Sequence, residues 1–121
     1  MLNNAEANGN NNMFNLTIYQ KYLELIYYTN DVIKKFPATQ NIALAQKIKS
    51  TVYGGLRLLM YSTKAYTAQE KLTYLNEFVI SLNMLKAQIK LSYKYAYITL
   101  QNYNAWNSLI SSICNMLNKL I

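Results

Sequence analysis

Histidine is absent from the 121-residue chain, cysteine and proline occur once each, glycine three times, and only five residues are acidic. Each shortage closes a class of chemistry. Without histidine there is no Ser-His-Asp or Cys-His nucleophile, and the usual zinc ligand sets cannot be assembled. The solitary Cys114 offers neither a disulfide scaffold nor a redox pair. Four of the carboxylates, Glu24, Asp31, Glu70 and Glu77, show no paired spacing with a base or metal partner. No enzyme, cofactor or metal is expected. Signal-peptide features are also missing from Met1-Leu2-Asn3-Asn4-Ala5-Glu6, so a cytoplasmic setting is expected. Residues 95–118 carry no charge, but Gln101 with Asn102, Asn104, Asn107, Asn115 and Asn118 brings too many amides for lipid, and no membrane span is expected.

What the chain does have is apolar material and positive charge. Hydrophobic residues make up 52%, enough for a core at a length that makes one ordinary domain. Twelve Lys and Arg against five Asp and Glu leave a formal charge of +7. Residues 1–14, with six asparagines among the first twelve, read as a disordered Asn-rich tail. Residues 15–121 read as the folded domain.

Beyond residue 14 the apolar residues recur at helical spacing and no stretch alternates with period two for long. A first helix over about 15–36 carries Leu16, Tyr19, Leu23, Ile26 and Ile33 on one stripe and ends before Pro37, because the residue before proline avoids the α region. A second, over about 40–66, carries Ala45, Ile48, Val52, Leu56 and Leu59. The third follows Thr67-Ala68-Gln69-Glu70, which fits a capping box, and its stripe runs through Leu72, Leu75, Val79, Leu82, Leu85, Ile89 and Tyr93. The fourth starts after Thr99 and runs through Tyr103, Trp106, Ile110, Ile113, Leu117 and Leu120. Four such helices joined by short turns predict an all-α, antiparallel up-down four-helix bundle. Gly54-Gly55 interrupt helix two at a cost of about 1 kcal/mol each against alanine, so a kink or an unusually close approach is expected there. Cys114 reads as a core residue and Trp106 as a core or interface anchor.

The charge is segregated. From Lys34 to Lys64 every charged residue is basic, and the same holds from residue 78 to the end. Lys86, Lys90 and Lys94 form a ridge at i, i+4 and i+8, a spacing that destabilises an isolated helix by a few tenths of a kcal/mol (about 0.2–0.5) per pair. Together with Lys47, Lys49, Arg57 and Lys64 they are the candidate phosphate contacts, with Tyr53, Tyr61, Tyr93, Tyr95 and Tyr97 placed to stack on unpaired bases. The bland reading of the same residues is a solvated face over half-buried tyrosines. Helix four offers Asn102, Asn104, Asn107, Ser108, Ser111, Ser112, Asn115 and Asn118 outward with Lys119 as its lone charge, a composition that suits contact between subunits.

Several short runs resemble a known family. Gln20-Lys21-Tyr22-Leu23-Glu24-Leu25-Ile26-Tyr27-Tyr28 followed by Lys34-Lys35-Phe36-Pro37, then Ala45-Gln46-Lys47-Ile48-Lys49-Ser50-Thr51, then Leu85-Lys86-Ala87-Gln88-Ile89-Lys90-Leu91 and Tyr97-Ile98-Thr99 with Tyr103 are similar in order and spacing to bacterial four-helix-bundle proteins of the accessory variability determinant (Avd-like) family. The place of Lys47 is usually basic there, and Lys90 stands where the family usually has arginine. Gly54-Gly55 replace bulkier residues, and Cys114, Asn115 and Leu120 stand where Gly, Arg and Trp are common. The resemblance implies a basic homo-oligomer, pentameric in the known family type. Such proteins bind nucleic acid and associate with the reverse transcriptase of a diversity-generating retroelement, and for this chain RNA is expected before DNA. The competing expectation is an oligomeric protein-interaction module without nucleic-acid binding.

Overall fold

The computed structural model describes the backbone of residues 4–38 and 42–120 and the side chains of 16–38 and 42–119. The order is α1 (Asn4–Ile33), α2 (Ile42–Lys64), α3 (Ala68–Lys94) and α4 (Leu100–Leu120). α1 packs on α2 and α4, and α3 packs on α2 and α4, while the diagonal pairs make no close backbone approach among the described residues. Short connections reverse the chain at each step, so this closed ring is the expected antiparallel four-helix bundle.

The helix boundaries have local causes. Thr67 caps α3, its hydroxyl accepting from the Glu70 amide at 3.0 Å, and Glu70 Oε2 accepts from the Tyr66 amide at 3.2 Å. The expected reciprocal box is therefore present but shifted by one residue, because Glu reaches past the cap to the preceding N–H. Thr99 begins α4 in the same way, accepting from the Asn102 amide at 3.1 Å. α3 ends in a Schellman turn: the Tyr97 amide donates to the Ser92 carbonyl and the Ala96 amide to the Tyr93 carbonyl, both at 2.9 Å, with Ala96 at φ 62°.

α1 departs from expectation in both its start and its rotation. Its backbone is helical from Asn4, well before the expected start at residue 15. The expected tail over 1–14 falls on side chains outside the described residues. The inward face also differs. Ile18, Tyr22, Leu25, Ile26, Thr29, Val32 and Ile33 are buried, whereas Leu16 and Leu23 from the expected stripe are exposed. The helix is apolar on more than one side, so spacing alone leaves its rotation open. α2, α3 and α4 bury Ile48, Val52 and Leu59, then Leu75, Leu82, Leu85 and Ile89, then Trp106, Ile110, Ile113 and Leu117, as expected. Leu72 and Tyr93 lie at the edge of the core instead of within it, and Phe78 takes the central position on α3.

The two glycines of α2 do different things. Gly55 is buried, and a Cβ there would run into the Tyr22 hydroxyl and come within 3.2 Å of Ser81 Oγ. Tyr22 uses this gap to donate a hydrogen bond to the Val52 carbonyl, and its ring meets Phe78 edge-on at 5.1 Å. The close approach expected at this pair is real for Gly55. Gly54 is exposed, and a Cβ there would meet nothing within 4 Å.

Candidate nucleic-acid interface

The register between α2 and α3 is set by Thr51, whose hydroxyl accepts from Gln88 Nε2 at 3.0 Å and whose carbonyl accepts from Ser81 Oγ at 3.2 Å. Between α1 and α4 it is set by Trp106 Nε1, which donates to Thr29 Oγ1 at 2.9 Å, and by Tyr28, whose hydroxyl donates to the Asn102 carbonyl at 3.4 Å. The antiparallel order then gathers the C-termini of α1 and α3 and the N-termini of α2 and α4 at one end of the bundle. Phe36 of the first turn and Tyr97 of the third lie ring to ring there, 5.6 Å apart.

Lys47, Lys49, Lys86, Lys90 and Lys94 fall at this end, within about 12 Å of it along the axis at 1.5 Å per residue. Lys34 and Lys35 join them from the α1 turn. Seven lysines thus share the end with one carboxylate, Asp31, while the rest of the chain carries five cations and four carboxylates. Arg57 lies in the middle of α2 and Lys64 at its far end, so the structure does not bring these two to the others.

Around the circumference the end lysines form a collar. At about 100° per residue Lys47 lies on the side of α2 turned toward α3, and Lys49 on the side turned toward α1. The Lys86–Lys90–Lys94 ridge lies on the side of α3 turned toward α4, beside Tyr93, whose ring stacks on Tyr103 at 4.9 Å. Lys47, Lys90 and Lys94 are exposed; Lys49 and Lys86 are half-buried, their stems lying on the core edge. The one ion pair among the described residues is Lys21–Glu24 at 3.5 Å, so none of the collar lysines is neutralised by a carboxylate. Gathering that much like charge is unfavourable for the isolated protein, and a bound polyanion relieves it.

The tyrosines divide. Tyr61 accepts hydrogen bonds from Arg57 Nε and Nη2 at 3.1 and 2.9 Å, lies under the guanidinium and stacks on Tyr74. Tyr53 accepts from Asn30 Nδ2 at 3.0 Å. Tyr95 is exposed at the collar, tilted against Tyr97 at 5.4 Å, and is the candidate best placed to offer a free ring face to a base. Tyr28 is held in its phenol form above the ordinary range, first by burial and then by the charge of Asp31. Sequence reasoning left Lys34 and Lys35 out of the candidate contacts. Their signal, a basic pair directly before Phe36-Pro37, was in view, but only the packing shows that this turn adjoins the end of α3. No group of three His, Cys, Asp or Glu side chains that could hold a metal occurs among the described residues, and no helix is long and apolar enough to cross a membrane.

Fold and charge together define an all-α four-helix-bundle protein with a cationic end. Comparison places it more closely: the chain belongs to the bAvd-like family, whose family model matches residues 16–121. In fold it is similar to the crystal structure of a protein with unknown function from the S23 ribosomal protein family of Bacteroides thetaiotaomicron, with a TM-score of 0.80 and 18% identity over 87% of this chain and 98% of that one. No curated protein matches the chain.

Proposed function

We propose that this protein is a non-enzymatic accessory factor that acts in the cytoplasm as a homo-oligomer, binds RNA or DNA through its basic end, and docks on the reverse transcriptase of a diversity-generating retroelement. The observation that carries the nucleic-acid reading is the collar: Lys47, Lys49, Lys86, Lys90 and Lys94, with Lys34 and Lys35, stand at one end with no ion-pair partner among the described residues. Helical backbone and lysine heads read no base edges, so affinity comes from releasing counterions and is the same for all sequences. Membership of the bAvd-like family supports the retroelement role.

Fluorescence anisotropy with mixed-sequence single-stranded RNA and DNA, titrated over salt, tests the binding. Five phosphate contacts on a single strand give a log–log salt slope of about −3.5. Absence of binding at low salt overturns the nucleic-acid reading and leaves the protein-interaction module. Co-purification with the reverse transcriptase encoded beside the gene tests the second partner, and a mixture that stays as separate species overturns it.

A further inference from the structure

The rings at the basic end form a row that runs from the core to the surface. Phe36 of the first turn is buried, and the half-buried Tyr97 of the third turn lies 5.6 Å from it. Tyr95 lies 5.4 Å beyond Tyr97 at an interplanar angle of 32° and is 59% exposed. The turn that carries the outer two rings is fixed. Ala96 stands between them at φ 62°, its amide bonded to the Tyr93 carbonyl and the Tyr97 amide to that of Ser92, both at 2.9 Å. Tyr97 thus covers one face of Tyr95, and the exposure of Tyr95 leaves the other face open. A second pair stands on the α3–α4 side, where Tyr93 stacks on Tyr103 at 4.9 Å and is itself 38% exposed. Lys94 separates Tyr93 from Tyr95 in sequence and Lys90 lies one turn before it, both exposed and without an ion-pair partner among the described residues.

From this row we propose that the basic end takes an unpaired strand and not a duplex, one base stacking on the open face of Tyr95 and the flanking phosphates resting on Lys94 and Lys90. The inference rests on the nucleic-acid reading above and names the class of strand that the same end holds. Inside a duplex both faces of a base are covered by its neighbours, and reaching one requires unstacking it. An unpaired base offers its π-face at no such cost, and stacking tolerates any sequence because every base has one. The platform is also ready-made. Tyr95 is held by the fixed turn and by Tyr97, so little ordering is lost when a base settles on it.

The placement of the charges agrees. Lys47 and Lys49 turn toward different neighbours of α2, the α3 ridge turns toward α4, and Lys34 and Lys35 lie on the α1 turn, so the lysines surround the end instead of lining one side. With neighbouring helices about 8–10 Å apart, that end is roughly 20 Å across. A duplex, stiff over about 150 base pairs, meets such an end along a line and leaves the lysines of the other sides unmatched. A single strand bends within a few nucleotides and can follow the collar from the α3 ridge past Tyr95 to the Phe36-Pro37 turn. The lysines then supply affinity that falls with salt, and the ring supplies affinity that salt leaves in place.

Fluorescence anisotropy of the full chain, titrated over salt, tests this with three probes of equal length. They are a mixed-sequence single-stranded DNA, the same strand annealed to its complement, and a strand of abasic sites that keeps the phosphates and lacks the bases. The intact single strand is expected to bind about 10-fold more tightly than the abasic one at every salt concentration, and to stay bound at salt that releases the duplex. Tyr95→Ala should weaken the intact single strand by roughly 5- to 100-fold with the log–log salt slope unchanged, and leave the duplex and the abasic strand as they were. Tyr95→Phe keeps the ring and should bind as the wild type does; a loss there would assign the effect to the hydroxyl and overturn the proposal. Equal affinity for the intact and abasic strands overturns it, as does an unchanged single-strand affinity in Tyr95→Ala. So does an equal loss on single strand and duplex, which would make Tyr95 a support of the turn alone. In each of these cases the nucleic-acid reading stands. Failure of all three probes to bind at low salt is a different result, which removes that reading and this inference with it.

Discussion

The hydroxyl of Tyr22 on α1 occupies the space where a side chain at residue 55 of α2 would begin, so Gly55 serves as its socket. Only a residue without Cβ lets the phenol cross to the Val52 carbonyl and lets the two helices close around it. A methyl at residue 55 has to displace a fully buried ring that also meets Phe78. Gly55→Ala should therefore cost about 2 kcal/mol in spite of alanine's better helix propensity. Tyr22→Phe alone should cost about 1 kcal/mol for the lost hydrogen bond. Combined, the two should cost less than their sum by about 1 kcal/mol, since Phe frees the socket. Urea unfolding of the four species checks this, and additive losses would show that the two residues are not coupled.

Burial pushes the Tyr22 phenol well above its ordinary value near 10. The folded state therefore holds the proton more tightly than the unfolded chain does. This contribution is fully present below about pH 10 and is lost as pH rises from there toward the folded-state value, at up to about 1.4 kcal/mol per pH unit. Alkaline unfolding of the wild type should accordingly be steeper than that of Tyr22→Phe, with the curves parallel below pH of about 10. Equal alkaline slopes would mean the hydroxyl is solvated in the folded protein.

The only tryptophan is fully buried, and its indole N–H ends on the buried Thr29 hydroxyl. Thr29→Val keeps the shape and removes the acceptor, leaving the N–H unsatisfied at a cost of about 1–3 kcal/mol. Thr29→Ser keeps the acceptor and should lose less. Trp106 fluorescence during denaturation reports both directly.

Ala96 sits at φ 62° in the turn that ends α3, a conformation that costs a residue with Cβ about 1–2 kcal/mol. Ala96→Gly should raise stability by about 1 kcal/mol, read as a higher urea midpoint with unchanged slope. A lower midpoint would place the strain elsewhere.

On the proposed interface, Lys90→Ala should weaken binding to every oligonucleotide alike and shallow the log–log salt slope by about one unit. Lys119→Ala, at the opposite end of the bundle, should leave both affinity and slope unchanged. Equal effects at the two ends would mean that net charge, not the collar, attracts the polyanion.

Most of the architecture is legible in the linear order of residues because its causes are local. Thr67 and Thr99 each cap the helix after them, Phe36-Pro37 stops the helix before it, and the step of three and four through Trp106, Ile110, Ile113 and Leu117 needs one buried side. Residues at i and i+4 share one side of a helix, so the Lys86–Lys90–Lys94 ridge is also visible without coordinates. α1 resisted the same reading, since Leu16 and Leu23 repeat as regularly as Ile18, Tyr22 and Leu25, and periodicity sets a spacing without choosing a side. The αL alanine at residue 96 escaped because the usual glycine signal is missing there.

The amino-acid order by itself determined four helices, where most of them start and stop, and an excess of positive charge, because capping, turn chemistry and charge count act within a few residues. Tertiary packing decided which side of α1 turns inward, that one glycine of the pair is a socket while the other faces open space, and that lysines from two helices and a turn meet at one end. Those outcomes join residues distant in sequence, and only the burial of one helix against another selects among the faces that each could have used.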